Sequence, residues 1–337
     1  MKAIGYRVPR PITAEDSLVD LDLPIPAPGP RDLRVAVRAI SVNPADVKMR
    51  ATASPPNGEA RVLGFDAAGV VDAVGSEVTL FKPGDEVFYA GTIDRPGTCS
   101  EFHLVDERIV GHKPKTLTFG EAAALPLTSI TAWEILFDRF AIPYGVKSQT
   151  GSLLIINGAG GVGSILTQIA HRLTGLTVIA TASRPETVNW CRKMGAHHVI
   201  NHHRPFTEEL KNLSIAQVDY VAGLAATDKH LTEIEAILAP QGKLALIDDP
   251  KVFYIVKLKR KSISVHWELM FTRALYRTPD MIAQHRLLND VADLVDGGVL
   301  RTTLTEDAGL INVDNLKRVH ALLESGRAIG KTVLAGF

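Results

Sequence analysis

The chain has 337 residues, more than one ordinary core accommodates, so two domains are expected. Hydrophobic residues make up 46% and charged residues 22%, which is a globular composition and not a disordered one. Lysines plus arginines equal aspartates plus glutamates, 37 of each, which leaves no basic excess to grip a phosphate backbone and argues against a nucleic-acid partner.

The first third is rich in β-branched residues, glycine and proline. LRVAVRAISVN alternates apolar residues from Leu33 and reads as a strand. GVVDAVG and DEVFYAG are similar, with the turn-forming Gly75-Ser76 and Lys82-Pro83-Gly84-Asp85 between them. Strands this closely spaced predict a small, irregular β-barrel. From about Gly120, helices alternate with strands. GEAAALPLTSITAWEILF is helical in two pieces divided at Pro126. LLIIN is the unbroken apolar run of a buried parallel strand. SILTQIAHRLTG places Ile165, Leu166, Ile169 and Leu173 at helical spacing, with Gly175 as its stop. TVIATAS continues as a strand and ETVNWCRKMG as a helix. HHVIN, VDYVAGL, KLALIDD and SISVHWEL are further strands. This alternation predicts an α/β fold, a parallel sheet with helices on both faces. The tail from roughly Phe271 is helical through MIAQHRLLNDVADLVDGG. It then has a strand at LRTTLTE, a helix at NLKRVHALLESG and a final apolar KTVLAGF.

No stretch is apolar over enough residues to cross a bilayer. Scattered charge gives no reason to expect a membrane surface, and MKAIGYRVPRPIT has no apolar signal core. A soluble, cytoplasmic protein is expected. The two cysteines, Cys99 and Cys191, fit that compartment as free thiols.

Gly158-Ala159-Gly160-Gly161-Val162-Gly163 contains GxGxxG, following a strand and opening a helix, which is the context the motif requires. Gly158 permits the tight turn, Gly160 leaves room for a pyrophosphate, and Gly163 lets helix and strand approach. Free N–H groups at the helix start meet the negative charge. At the end of the next strand, an acid would bind the ribose hydroxyls of NADH. Here Ser183-Arg184-Pro185-Glu186 stands instead. The missing acid removes repulsion against a 2′-phosphate, and Arg184 can bind one, so NADPH is the expected cofactor. Ser183 and Glu186 also fit a helix capping box.

These residues resemble the medium-chain dehydrogenase/reductase superfamily, in its quinone oxidoreductase-like branch. Ser41-Val42-Asn43-Pro44-Ala45-Asp46 is similar to that branch's SVNPxD segment. Gly64-Phe65-Asp66 through Gly69 and Gly75 follows GHExxGxVxxVG, and Gly84-Asp85-Glu86-Val87 follows GDxV. Leu125-Pro126 through Thr131-Ala132-Trp133 resembles LPxxxxTAW. AGGVG and the late Gly330-Lys331-Thr332-Val333-Leu334 complete the series. The resemblance implies a Rossmann doubly wound sheet, residues 127–270, inserted in a GroES-like β-barrel catalytic domain, residues 1–126 and 271–337. It also implies an active site in a cleft between the two, and a homodimer through the sheet edge that SISVHWEL supplies.

Zinc members of the superfamily hold catalytic metal with cysteine, histidine and cysteine. The matching positions are Asn43, Phe65 and approximately Leu127, and the structural zinc lobe needs four cysteines where this chain has two. No metal is expected at either site. Around one short strand, His197, His198, His202 and His203 form a cluster open to an adventitious metal or to a plain surface role. Relatives carry a tyrosine at His202, near the 2′-phosphate, which makes His202 a candidate cofactor residue.

Without a metal to polarise a carbonyl, hydride transfer suits a quinone or an α,β-unsaturated carbonyl, both already electron-poor. By resemblance, Asn43 is the leading substrate-side residue, with a plain turn at Asn43-Pro44 as its alternative. Lys48 is a candidate to stabilise a developing oxyanion, against a solvated surface role. Thr131 is expected near the nicotinamide, against a helix-cap role. Lys331 is expected near the cofactor, against a surface role. No dedicated proton donor is identifiable. The partner is a small-molecule electron acceptor. A quinone reductase, an enal or enone reductase, and an NADPH-binding sensor with little turnover all remain open.

Overall fold

The computed structural model describes residues 1–55, 59–148 and 150–337. The chain forms two compact units, one made of residues 1–130 and 271–337, the other of residues 131–270. The change of unit falls inside the helix Pro126–Trp133, after Ile130, four residues beyond the 126/127 division that the resemblance implies.

The first unit is largely antiparallel. Its main sheet centres on Asp32–Ser41, which pairs with Asp66–Val74, Phe102–Asp106 and Lys331–Ala335. Glu86–Ala90 and Val110–His112 extend the sheet on one side, and Leu304–Asp307 on the other. Leu33, Val35 and Val37 alternate inward, as their spacing requires, and pack with Val71, Val87, Tyr89 and Ile109. The C-terminal segment thus returns to the sheet begun near the N-terminus: Leu334 pairs with Ile40.

The second unit holds a six-stranded parallel sheet. Its strands are β1 (Ser152–Ile156), β2 (Thr177–Thr181), β3 (His198–Ile200), β4 (Val218–Gly223), β5 (Leu238–Leu246) and β6 (Ser264–Trp267). Their order is β3-β2-β1-β4-β5-β6, every pair parallel. Helices α1 (Gly161–Leu173), α2 (Pro185–Met194), α3 (Phe206–Asn212) and α4 (Thr227–Ile237) make the crossovers. This is the doubly wound Rossmann order, with its switch point between β1 and β4. β1 is buried almost throughout, as its unbroken apolar run predicted.

Two local expectations change. Helix α1 ends at Leu173, two residues before Gly175: Thr174 caps it in extended geometry, its N–H and hydroxyl both donating to the Ala170 carbonyl. Helix α2 begins at Pro185 with Arg184 as its cap, so the Ser183–Glu186 capping box does not form. The Thr187 hydroxyl instead accepts the Arg184 N–H at 3.1 Å and donates to the Arg184 carbonyl. Proline at the first helical position fixes this one-residue offset. Among the described residues, no helix is long and apolar enough to cross a membrane.

Candidate active site

The second unit carries a built dinucleotide turn. Asn157, with φ of 66°, supplies the left-handed turn that sequence reasoning gave to Gly158, and its N–H donates to Thr181 Oγ1 at 3.0 Å. Gly158 is needed for a different reason: a Cβ there would lie 2.6 Å from the Ala180 Cβ on β2. At Gly163 a Cβ would lie 2.4 Å from the Asn157 carbonyl oxygen, so only glycine lets α1 begin this close to β1. Gly160 caps α1, and Ala159 is buried beneath the turn with Cys191. The first-turn N–H groups of Gly161, Val162 and Gly163 have no carbonyl in their own helix to reach and carry the helix's partial positive charge. Such a cradle fits a pyrophosphate.

At the end of β2, Ser183 is half-buried. The Arg184 side chain is partly exposed and its guanidinium lies 3.4 Å from Glu186. His202 is half-buried after β3. Burial first, then the neighbouring His203 and His230, lower its pKa, which favours a neutral ring able to hydrogen-bond over a cationic one. The expected four-histidine cluster divides. His197 pairs with His171 at 3.2 Å and accepts the Val178 N–H, whereas His202 lies against His203. Among the described residues, no three histidine, cysteine or carboxylate side chains are arranged for a metal.

In the first unit, four residues from three motifs meet. Asn43 caps the helix Pro44–Thr52, and its N–H donates to Asp46 Oδ2 at 2.7 Å. Asp46 also accepts the Gly64 N–H, tying that helix to the start of the Asp66 strand. Asp66 accepts the Leu127 N–H at 2.7 Å on one oxygen. On the other it accepts Asn43 Nδ2 at 2.9 Å and Lys331 Nζ at 3.0 Å. Lys331 Nζ donates further to Asn43 Oδ1 and to the Val42 carbonyl. All four side chains are buried. Burial pushes the Asp46 carboxyl up to about 7, against its two backbone donors and Lys331. Burial likewise raises the Cys99 thiol, with Asp46 adding to it.

This network tests the zinc positions directly. The Asn43 amide is engaged at both ends, the Phe65 ring packs against Phe271 with centroids 4.7 Å apart, and Leu127 offers only a backbone N–H already given to Asp66. Neutral amide, phenyl and isobutyl groups do not make a zinc site, so the residues present do not fit the metal.

The structure brings Asn43 and Lys331 together and leaves Lys48 exposed on the helix Pro44–Thr52. Thr131 is buried inside its helix and not at a cap. Sequence reasoning missed Asp46 and Asp66 as partners of Asn43 and Lys331. Their places within the SVNPxD and GFD segments were the available signal.

Comparisons with known proteins agree with this architecture. Residues 29–130 match the alcohol dehydrogenase GroES-like domain, and residues 194–334 match the zinc-binding dehydrogenase family. A zinc-type alcohol dehydrogenase-like protein of Staphylococcus aureus is 43% identical over 99% of both chains. A mitochondrial NAD(P)H oxidoreductase of Homo sapiens is 32% identical over 90% of this chain and 82% of its own length. A crystal structure from Rhizobium etli CFN 42, named provisionally as a zinc-dependent alcohol dehydrogenase, is 57% identical with a TM-score of 0.95, covering 100% of this chain and 98% of that one. The quinone oxidoreductase of Pseudomonas syringae pv. Tomato DC3000 is 26% identical, with a TM-score of 0.84 and 99% coverage of both chains. The chain therefore belongs to the medium-chain dehydrogenase/reductase superfamily and is an oxidoreductase of that family, with a GroES-like and a Rossmann unit.

Proposed function

We propose that this oxidoreductase uses NADPH to reduce a quinone, without zinc. The observation that carries the reading is the buried Asn43–Asp66–Lys331 network, which leaves no ligand set where zinc relatives hold their metal. The names of relatives that mention zinc describe those proteins; the side chains here supply an ammonium ion in its place. NADPH, when bound, supplies the hydride. Gly158 to Gly163 would receive its pyrophosphate, and Ser183, Arg184 and His202 would face its 2′-phosphate. Thr131 would lie on the nicotinamide side. Lys48, exposed on its helix, is the proposed contact for a developing oxyanion, and Asn43 and Lys331 position the chain around it. Similarity to quinone oxidoreductases of Pseudomonas syringae and Coxiella burnetii, at 26% and 27% identity, favours a quinone over an enone.

A homodimer through β6 and a cytoplasmic location belong to the same reading. Edge strand β6 leaves Trp267 57% exposed and Leu269, just beyond it, 49% exposed, and both cysteines are free thiols.

The test is NADPH oxidation with 1,4-benzoquinone and, separately, with an enone and product analysis. Turnover is expected with the quinone, is expected to survive a chelator, and should accompany less than stoichiometric zinc in purified protein. NADPH should be preferred to NADH, and Arg184→Ala should narrow that preference by about tenfold to a hundredfold, the value of one charge-assisted hydrogen bond. A saturated enone product with no quinone turnover would shift the assignment to double-bond reduction. One zinc per chain would overturn the metal argument.

A further inference from the structure

The second unit contains a polar cluster that the proposed function does not use. Glu134 opens a π-helical stretch, Glu134–Arg139, one helical turn beyond Thr131. Glu268 directly follows Trp267, the last residue of β6. Both residues are buried, 1% and 4% exposed. Arg139 serves both: its Nε donates to Glu268 Oε2 at 2.7 Å, and its Nη2 lies 3.6 Å from Glu134 Oε2. Glu268 Oε1 is buried with no hydrogen-bond donor on it, and Glu134 acts on Glu268 from within hydrogen-bonding reach. Ionised carboxylates only accept, so a bond between the two would need a proton on one of them. Two buried anions sharing the Arg139 guanidinium would repel each other, and a proton on one of them relieves that repulsion. Burial first, then the charge of Glu134, holds Glu268 above the ordinary carboxyl range, with Arg139 opposing.

The surrounding charges are few. From β6 comes His266, whose pKa is lowered by burial and then by Lys243 and Arg139. From β5 comes Lys243, whose Nζ donates to the Phe140 carbonyl just past the π-helical stretch. Loss of the Glu268 proton is favoured by Arg139, the cation that acts on it. The cluster sits at the carboxyl end of β6, in the second mononucleotide half of the sheet. The glycine turn and the end of β2 lie in the first half and take the adenosine side, so the second half faces the nicotinamide.

We propose that Glu134 and Glu268 hold one proton between them, and that this shared proton seats the Thr131 helical segment against the end of β6, making the two acids positioning residues for the nicotinamide half of the cofactor. The inference rests on the cofactor reading given under Proposed function. Removing the proton would set two buried anions side by side. Their repulsion would part the π-helical turn from the strand end and move Thr131 with it.

Infrared difference spectra at neutral pH, wild type minus Glu268→Gln and wild type minus Glu134→Gln, should each show the carbonyl band of one neutral carboxylic acid. NADPH affinity, measured by calorimetric titration from roughly pH 6 to 10, should fall in wild type by up to about tenfold per unit once the pair ionises. The Glu268→Gln variant should give a flat profile across that alkaline limb, because glutamine keeps a neutral hydrogen-bonding partner. Glu134→Gln repeats the test from the other side if the first variant folds poorly. Absence of the band in both difference spectra, or coincident affinity profiles for wild type and both variants, overturns the proposal. If wild type binds no NADPH at any pH, the cofactor reading falls and takes the positioning role with it, while the band alone still decides whether the pair holds a proton.

Discussion

The side chain of Lys331 ends on three acceptors, and that sets what its loss should cost. Its ammonium group is buried with Asp66, Asn43 and the Val42 carbonyl. Lys331→Met would leave the Asp66 carboxylate buried with only neutral donors. Breaking a buried pair by removing one partner costs about 3–5 kcal/mol. Urea unfolding should show a loss of that order, and Asp66→Asn in the same chain should recover part of it. Unchanged stability together with weakened NADPH binding would place Lys331 at the cofactor and not in the network. The individual motifs were legible, because each is a short run with its own pattern. Their meeting was not, because Asp66 and Lys331 are 265 positions apart and only the return of the C-terminal strand beside Asp32–Ser41 joins them. The same holds for Asn43: its type argues against a zinc ligand, but nothing in the local run showed that both ends of its amide would be consumed.

Elements with a strong period were readable, and their ends were not. β1 and α1 announce themselves by an apolar run and a helical stripe with glycines between. The cap of α2 slid by one residue because proline's fixed φ chose the start, and Thr187 competed for the role given to Ser183. The π-helical stretch after Trp133 left no pattern in EILFDR that differs from an ordinary helix. Strand β6 is the element whose position matters most for assembly. It closes one side of the sheet, so among the described residues no strand pairs with its outer backbone edge, and Trp267 places an aromatic ring in solvent beside it. A second copy pairing along β6 would bury that ring twice by symmetry. Light scattering coupled to size exclusion should give a dimer for wild type. Trp267→Lys should shift it toward monomer by about 1.5–3 kcal/mol per buried aromatic side chain, roughly tenfold or more in dissociation constant. A monomer at the outset, or a dimer indifferent to the lysine, rules out this edge.

Across the whole molecule the formal charge is zero, yet buried titratable groups pull stability in opposite directions as pH changes. In the first unit, burial lowers His103 to about 4 and His320 to about 3, with Arg50 adding to the second. A histidine depressed in the folded state contributes stability that is complete above its unfolded pKa near 6.5. That contribution is lost as pH falls toward the folded value. Asp46, raised to about 7, does the reverse: its contribution is complete below about 3.8 and lost as pH rises through 7. The two kinds of group partly cancel in wild type, so the acid limb alone is a poor reporter and the difference between variants is the useful quantity. At about pH 4.5 each depressed histidine should have lost about 2–3 kcal/mol relative to neutral pH. His320 Nδ1 is buried without a hydrogen-bond partner, so an apolar replacement breaks no bond at that atom. His320→Leu should therefore gain on wild type by about 2–3 kcal/mol between neutral pH and about pH 4.5. Over the same interval Asp46→Asn should fall behind wild type, because asparagine cannot take up the proton that stabilises the buried carboxyl in acid. Denaturant midpoints at the two pH values read both differences. Parallel acid limbs for wild type and His320→Leu would mean that acid opens this unit through another group.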